Sequence, residues 1–200
     1  MVANCLGLGP KYFRRLTQSN CGLTTFEFTP SGGTEPAVIL EHLNQTPSLP
    51  FKGNEDKARN LAVLISSSGN LDGNQDEIAS AISNILGDEH TARFSCDKFE
   101  SSTALAHDVA ALLEREIPTR WSGSLPELFD NLLIPGTSVM FAQSQTINDI
   151  VTHVLQRDKH FGSRLKFSRG GITVVDFVCG GVENATIACL NNTAHLSDSQ

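Results

Sequence analysis

The feature of this sequence that most constrains its fold is an internal repeat, because residues 12–49 and residues 161–196 carry the same pattern. Each copy reads as a short helical segment, a glycine-marked turn and two apolar segments joined by a loop with two glycines, which predicts a β-hairpin. A repeated unit constrains the whole fold, because each copy is expected to form the same supersecondary structure. The matched positions, with a shift inside the hairpin loop, are Arg15 and Arg164, Leu16 and Leu165, Ser19 and Ser168, Gly22 and Gly171, Thr24 and Thr173, Phe28 and Phe177, Leu43 and Leu190, Asn44 and Asn191, and Thr46 and Thr193.

The repeat predicts the domain organisation. The second copy ends the last domain, so the first copy is expected to end a domain too, although about fifty residues are too few for an independent core. We therefore interpret residues 1–50 as the C-terminal remnant of a first domain, residues 51–58 as a polar linker and residues 59–196 as a complete second domain. On this interpretation the chain is part of a longer two-domain protein. Its first hairpin would leave strand edges unpaired, which favours self-association.

The composition excludes several classes of partner. Apolar residues make up 40% of the 200 residues, an ordinary fraction for a soluble globular chain. The formal net charge is −7, and Lys and Arg form no run, which argues against nucleic acid or an anionic membrane as the partner. No apolar stretch approaches the roughly twenty residues of a membrane span.

The metal-binding and thiol residues are scattered. The six histidines lack metal-ligand spacing, and no cofactor motif occurs, so neither a metal nor a cofactor is predicted. The odd number of cysteines and the absence of a C-x-x-C pair favour free, mostly buried thiols in a reducing compartment. A disulfide between Cys179 and Cys189 across the last hairpin is the alternative. The five cysteines are Cys5, Cys21, Cys96, Cys179 and Cys189.

Strands and helices alternate along residues 59–196. The continuous apolar run Leu61–Ile65 is typical of a buried parallel strand. Residues 116–133 read as irregular, because prolines and a glycine interrupt them. The alternation predicts an α/β protein with helices on both faces of a largely parallel sheet. The further predicted strands are residues 91–95, 137–142, 172–177 and 186–190, and the predicted helices are residues 76–86, 101–114 and 146–156.

Four segments of the second domain share motifs with one known superfamily. They are Leu64–Ser68, the run from Ser95 to Ala104, Val139–Ser144 and Leu190–Leu196. They resemble the Arg-His-Gly loop, the Ser-Ser and Arg-Ala-x-x-Thr-Ala run, the second catalytic His-Gly and the terminal Leu-Asn-x-Thr-x-His-Leu of the histidine phosphatase superfamily. The resemblance implies a three-layer phosphoglycerate mutase-like sheet with helices on both faces, here preceded by the terminal hairpin of a truncated first copy. In that first copy, Gln18–Gly22 and Leu43–Thr46 are similar to the first-domain ends of two-domain plant and cyanobacterial members.

The chemistry of that superfamily needs two histidines at the ends of neighbouring strands. One becomes phosphohistidine, while the other and two arginines hold the phosphoryl oxygens. The resemblance places Ser66 and Ser67 where the Arg-His pair belongs, and Gln143 where the second histidine belongs. The arginine of the second motif is absent, with Phe99 or Glu100 nearest. A serine without an adjacent base does not replace an attacking imidazole, and no cationic cluster is left to bind phosphate. We therefore expect a vacated site and no catalytic residue in this chain.

Two hypotheses of function follow from the resemblance. In the first, the chain is the C-terminal part of a phosphatase that acts on a small sugar phosphate in the chloroplast stroma, or otherwise in the cytoplasm. In the second, the degenerate domain has a structural, regulatory or partner-binding role without catalysis. Within the chain itself, the loop Ser66–Asn70 would either cradle an anion through backbone amides or be a plain solvated loop, and the second reading is favoured.

Overall fold

One mixed β-sheet runs through the protein in the computed structural model, which describes residues 2–19, 21–29, 37–46, 60–68, 74–87, 91–116, 118–177 and 181–196. Within those residues the sheet has eight strands in the order β1-β2-β8-β7-β3-β6-β4-β5. The strands are β1 Leu23–Thr29, β2 Ala37–Gln45, β3 Asn60–Ser66, β4 Arg93–Cys96, β5 Thr119–Arg120, β6 Gly136–Ala142, β7 Ile172–Phe177 and β8 Ala185–Asn192.

Helices cover both faces of the sheet. Helices α2 and α3 pack in one apolar cluster, whereas α1, α4 and α5 belong to a second cluster on the opposite face. The α-helices are α1 Val2–Cys5, α2 Gln75–Leu86, α3 Glu100–Leu112, α4 Leu125–Leu132 and α5 Ser144–Val154. Short 3-10 helices span Pro10–Arg15, Lys159–Arg164 and Val182–Asn184.

Strand β3 lies between the two clusters and is buried along its whole length. Its side chains alternate, so that Leu64 enters the cluster of α4 and α5 while Val63 and Ile65 enter the cluster of α2 and α3. A parallel strand covered by helices on both faces has no solvated side, which explains the continuous apolar run in the sequence. The predicted strand is therefore present, one residue longer at each end.

The sheet is parallel in one half and antiparallel in the other. Strands β3, β6, β4 and β5 are parallel neighbours, whereas β7 pairs antiparallel with β3 and the series continues antiparallel through β8 and β2 to β1. The prediction of a largely parallel sheet was too strong, because the two hairpins of the repeat both join the sheet and supply its antiparallel half.

Helix α4 corrects the sequence reading of residues 116–133 as irregular. Ser124 caps the helix, and the Ser124 amide donates to Glu127 Oε2 at 2.9 Å in a reciprocal capping box. Pro126 lies in the first turn, where its missing amide hydrogen costs nothing because the first amides of a helix have no intrahelical acceptor. Pro126, which the sequence reading took as a helix breaker, therefore lies in the first turn of α4.

The two copies of the repeat meet at the centre of the antiparallel half. Strand β2 pairs with β8 through Leu43 and Leu190, which occupy the same position in their copies. The side-chain amide of Asn44 donates to the Ala188 carbonyl at 2.7 Å, and that of Asn191 donates to the Glu41 carbonyl at 2.8 Å. Each bond crosses to the other copy, and the two acceptors, Ala188 and Glu41, occupy the same position in their copies. Reciprocal contacts of this kind are expected for an approximate two-fold axis.

Each of these asparagines also closes a turn within its own copy. Asn44 Oδ1 accepts from the Ser19 amide at 2.8 Å, and Asn191 Oδ1 accepts from the Ser168 amide at 2.7 Å. Both asparagines are fully buried and left-handed, with φ of 55° and 52°. Asparagine tolerates this backbone better than other residues with a side chain, which accounts for the residue type at both positions. Asn44 and Asn191 thus make the same two kinds of hydrogen bond in the two hairpins.

The domain prediction also included a linker at residues 51–58 and unpaired strand edges in the first hairpin. The linker at residues 51–58 and the hairpin loops with their paired glycines lie wholly or partly outside the described residues. The edge of β2 is not left unpaired, because β8 fills it. Among the described residues, β1 pairs with β2 alone, so an open edge of the sheet lies at β1.

Candidate functional site

The three residues predicted to occupy vacated catalytic positions lie together at one end of the parallel strands. Ser66 is the last residue of β3, and Gln143 directly follows β6. These strands are parallel and paired in register, Ser66 with Ala142, and the Ser67 amide donates to the Ala142 carbonyl at 2.9 Å. The topology therefore brings Ser66, Ser67 and Gln143 side by side. Their correspondence to the catalytic positions of the superfamily stays a prediction.

Serine hydroxyls at this end of the sheet bond to one another. Ser67 Oγ lies 2.5 Å from Ser102 Oγ of α3, and both side chains are fully buried. On the other face, Ser144 Oγ of α5 lies 3.1 Å from Ser66 Oγ and 2.7 Å from Ser68 Oγ. Each hydroxyl thus has a hydroxyl as its partner. A serine becomes a nucleophile only when a base takes its proton, and another serine does not do so.

Asp97 is the charged centre of this region, and the sequence reading missed it as a site residue. It follows β4, is 1% exposed and accepts three hydrogen bonds. Its Oδ2 atom accepts from the Gln143 amide at 2.8 Å and from Thr146 Oγ1 at 3.1 Å, while Oδ1 accepts from the Phe99 amide at 3.1 Å. The carboxylate thus accepts from the backbone amides at the starts of α3 and α5. The carboxylate joins β4 to the start of α5.

The signal for Asp97 was present in the sequence. An aspartate directly after a predicted strand and two residues before a helical segment is a common cap. In the run from Ser95 to Ala104, the resemblance implies no role for the Asp97 side chain. Only the strand order, which sets β4 next to β6, shows that its carboxylate reaches the turn after a different strand.

The cationic side chains of the neighbouring strands are already bound to protein oxygens. Arg120 donates to the Lys98 carbonyl, and Arg93 donates to the Ile134 carbonyl at 2.8 Å and to Ser138 Oγ at 2.7 Å. Phe99, one of the two residues nearest the missing arginine, is 39% exposed and carries no charge. These contacts hold the sheet edge together and leave both guanidinium groups engaged.

Two cavities open beside the strand ends, and Trp121 lines both of them. The first, of about 310 Å³, includes Asp97, Phe99, Leu125, Thr146 and Asp149 in its lining. The second, of about 450 Å³, includes Arg93, Phe94, Arg120 and Leu128. Neither lining includes Ser66, Ser67 or Gln143. The residues predicted as vacated positions therefore do not face either cavity.

His195, in the terminal motif of the second repeat, has a structural setting. Its Nε2 atom lies 3.1 Å from the Gly170 carbonyl, and burial lowers the pKa of the imidazole below its ordinary value. Across the described residues, no three His, Cys, Asp or Glu side chains are arranged to hold a metal ion. No helix among those residues is long and apolar enough to cross a bilayer.

The described thiols differ in exposure. Cys96 and Cys189 are buried, and burial raises the pKa of Cys189 to about 12, whereas Cys21 is exposed and Cys5 is half-buried. Cys179, the other member of the disulfide considered from the sequence, lies outside the described residues. The loop residues Gly69 and Asn70 also lie outside them, so the anion cradle stays a hypothesis.

Comparison with known proteins gives a consistent set of similarities. No family model matches the chain. A 2-carboxy-D-arabinitol-1-phosphatase from Triticum aestivum is 38% identical over 126 residues, which cover 56% of this chain and 25% of that protein. A probable 2-carboxy-D-arabinitol-1-phosphatase from Arabidopsis thaliana is 25% identical over 269 aligned positions, covering 98% of this chain and 56% of that protein. The chain thus spans about a quarter and about half of the length of these two relatives.

A solved structure is similar in fold. The phosphoglycerate mutase from Plasmodium falciparum superposes with a TM-score of 0.51 at 11% identity, covering 66% of this chain and 89% of that chain. At this identity the likeness bears on the fold alone. The predicted three-layer α/β sheet of the phosphoglycerate mutase-like type is confirmed, while the truncation of the first copy stays a prediction.

Proposed function

We propose that this chain is the C-terminal, non-catalytic portion of a two-domain phosphatase of the phosphoglycerate mutase-like histidine phosphatase superfamily, and its similarities in sequence and in fold support the proposal. The parent protein would hydrolyse a small sugar phosphate, of which 2-carboxy-D-arabinitol 1-phosphate is the first candidate because two relatives carry that activity in their names. The chloroplast stroma is the compartment that the resemblance favours. Catalysis would reside in a first domain.

The observation that carries the proposal is the bonding of Ser67. A phosphatase of this superfamily needs a nucleophilic imidazole and cations at the strand ends. In this chain the Ser67 hydroxyl is fully buried and bonded to Ser102 Oγ at 2.5 Å. Gln143, at the end of the neighbouring strand, has its backbone amide bonded to the Asp97 carboxylate at 2.8 Å, so that amide is not available to a phosphoryl oxygen. The strand ends therefore favour a packed interior over a phosphate site.

A structural role is the second half of the proposal, and it rests on the contacts between the two copies. Asn44 and Asn191 tie the first hairpin to the second across the sheet. The Arg15 guanidinium donates to the Val154 carbonyl at 2.6 Å, and the Arg164 guanidinium, at the equivalent position, donates to the Leu6 carbonyl at 3.0 Å. A second domain without catalysis would thus serve to complete and stabilise the sheet to which the first domain contributes its last hairpin.

Phosphate release tests the first half of the proposal. We expect the purified chain to release no phosphate above a blank from 2-carboxy-D-arabinitol 1-phosphate or from p-nitrophenyl phosphate, while the wheat relative serves as the positive control. Turnover that persists through purification and disappears in Ser67→Ala or in Gln143→Ala would contradict a non-catalytic domain. The mass of the native protein tests whether the parent protein has a catalytic first domain: it should be about twice the 21.6 kDa of this chain, or more.

A further inference from the structure

The two copies of the repeat differ in the partner of their first strand, because β1 has an open edge among the described residues. In the second copy, β7 pairs on its outer edge with β3, antiparallel, from Asp176 opposite Leu61 to Ile172 opposite Ile65. In the first copy, β1 is the equivalent strand, yet in the described part of the chain it pairs with β2 alone. The pairing of β3 with β7 therefore indicates the orientation and register of a strand that would pair with the open edge of β1.

The backbone of β1 has the same form as that of β7. The Gly22 amide donates to the Ser19 carbonyl at 3.1 Å, and the Gly171 amide donates to the Ser168 carbonyl at 3.0 Å, so both strands begin with the same turn. Both strands also have two register shifts next to their third residue. The edge of β1 is thus already shaped as a strand-pairing edge, which lowers the ordering cost of adding a strand.

The apolar side chains of β1 are exposed where those of β7 are covered. Leu23 is 61% exposed, while its counterpart Ile172 is fully buried. Phe28 is 60% exposed, while its counterpart Phe177 is 1% exposed. Two large apolar side chains at the two ends of one open edge strand are a liability that proteins normally cover. Burying them would give the same environment that β3 and its helices provide to β7.

We propose that the β1 edge binds an antiparallel strand with the pattern of β3, supplied by the first strand of the first domain. The proposal rests on the proposed function and names the strand through which residues 1–50 join the rest of that domain. The incoming strand would lie opposite Leu23–Glu27, as Leu61–Ile65 lies opposite Ile172–Asp176. The chosen occupant is apolar on both faces, because Ile172 and Phe177, the counterparts of Leu23 and Phe28, enter the apolar clusters on the two faces of the sheet.

Pairing of β1 with the β1 strand of a second copy is the competing arrangement, and the charges oppose it. Each β1 carries Glu27, whose carboxylate lies 3.7 Å from Lys166 Nζ, while that ammonium bonds more closely to Glu41 at 2.6 Å. An antiparallel pair of β1 strands would bring two Glu27 side chains onto one narrow ribbon between two chains that each carry a net charge of −7. A β3-like strand carries no charge.

The test adds a strand to the intact chain. The probe is a synthetic peptide with the sequence of Asn60–Ser66 and two lysines at each end for solubility, and hydrogen exchange of the intact chain is followed by mass spectrometry. At saturating peptide we expect exchange in residues 21–29 to slow by about tenfold or more, since amides in a paired edge exchange only on opening. A peptide with Leu64→Pro, which removes an amide donor from the β3 edge that faces β7, should give no protection.

Variants of the chain locate the binding edge. Leu23→Lys combined with Phe28→Lys should abolish the protection, and because both side chains are exposed, the variant should fold normally, as checked by circular dichroism. Leu112→Lys, on the surface of α3 and 49% exposed, is the matched control and should leave the protection unchanged.

Absence of protection in the unmodified chain would overturn the proposal. Protection that appears without peptide and tracks dimer formation in sedimentation would also overturn it, in favour of a second copy. Neither result bears on phosphatase turnover.

Discussion

Replacement of Asn44 by alanine measures how much the junction between the two copies contributes to stability. The side chain is fully buried, and its loss leaves the Ser19 amide and the Ala188 carbonyl without their bonds of 2.8 and 2.7 Å. A buried group left unsatisfied costs about 1–3 kcal/mol, so two cost about 2–6 kcal/mol. Alanine at a φ of 55° adds about 1 kcal/mol. We expect a loss of about 3–7 kcal/mol, a large part of the roughly 5–15 kcal/mol typical of a domain.

The assay is urea denaturation followed by circular dichroism, with the midpoint and slope compared between variants. Asn44→Gly separates the two contributions, because glycine accepts the left-handed backbone but makes neither hydrogen bond. It should recover only the smaller part of the loss. Asn191→Ala should cost as much as Asn44→Ala, since the bonds are reciprocal.

A matched control and a clear contradiction complete this experiment. Asn4→Ala, at an exposed position of α1, should change stability by less than about 0.5 kcal/mol. If Asn44→Gly were as stable as the unmodified chain, the hydrogen bonds would contribute nothing and the reasoning would be refuted. A large effect of Asn191→Ala with none for Asn44→Ala would show that the first hairpin is not part of the cooperative unit.

Two further predictions concern the strand ends and the pH dependence. Ser67→Ala should cost about 1–3 kcal/mol in urea denaturation because it leaves a buried Ser102 hydroxyl unpaired, and adding Ser102→Ala should cost no more; additive losses would contradict the pairing. Burial lowers the pKa of His195 below its ordinary 6.5 in the folded chain. The contribution of this residue to stability is therefore complete above about pH 6.5. It is lost as the pH falls toward the folded-state pKa, because the unfolded chain takes up the proton first. His195→Gln should therefore flatten the fall of the urea midpoint between about pH 7 and pH 5, and an unchanged slope would contradict this.

The architecture was accessible from the sequence because its determinants are local and periodic. Leu61–Ile65 is apolar throughout, which already indicates a strand covered on both faces, and helices α2, α3 and α5 lie within a few residues of their predicted bounds. The repeat was also visible, since turns and hairpins depend on residues close in sequence. Helix α4 was missed because Pro126 was judged without the capping box of Ser124 and Glu127 around it.

What the sequence could not supply were contacts between distant segments. The bond from Asp97 to the Gln143 amide joins residues that are 46 positions apart, and it exists because β4 and β6 are neighbours in the sheet. The reciprocal bonds of Asn44 and Asn191 span about 150 positions. Pattern reasoning identified these residues as matched, but the two-fold relation between their hairpins depends on the order of strands in the sheet.

The pairing of Leu43 with Leu190 also has a consequence for the order in which the protein forms during synthesis. Strand β2 acquires its partner only after nearly the whole chain has left the ribosome, so the first hairpin waits while residues 60–177 collapse around β3. Contacts of such large sequence separation close slowly, because the loop entropy is lost before the contact is gained. We therefore expect docking of the first hairpin to be a late step, and its exposed apolar residues to favour aggregation until then.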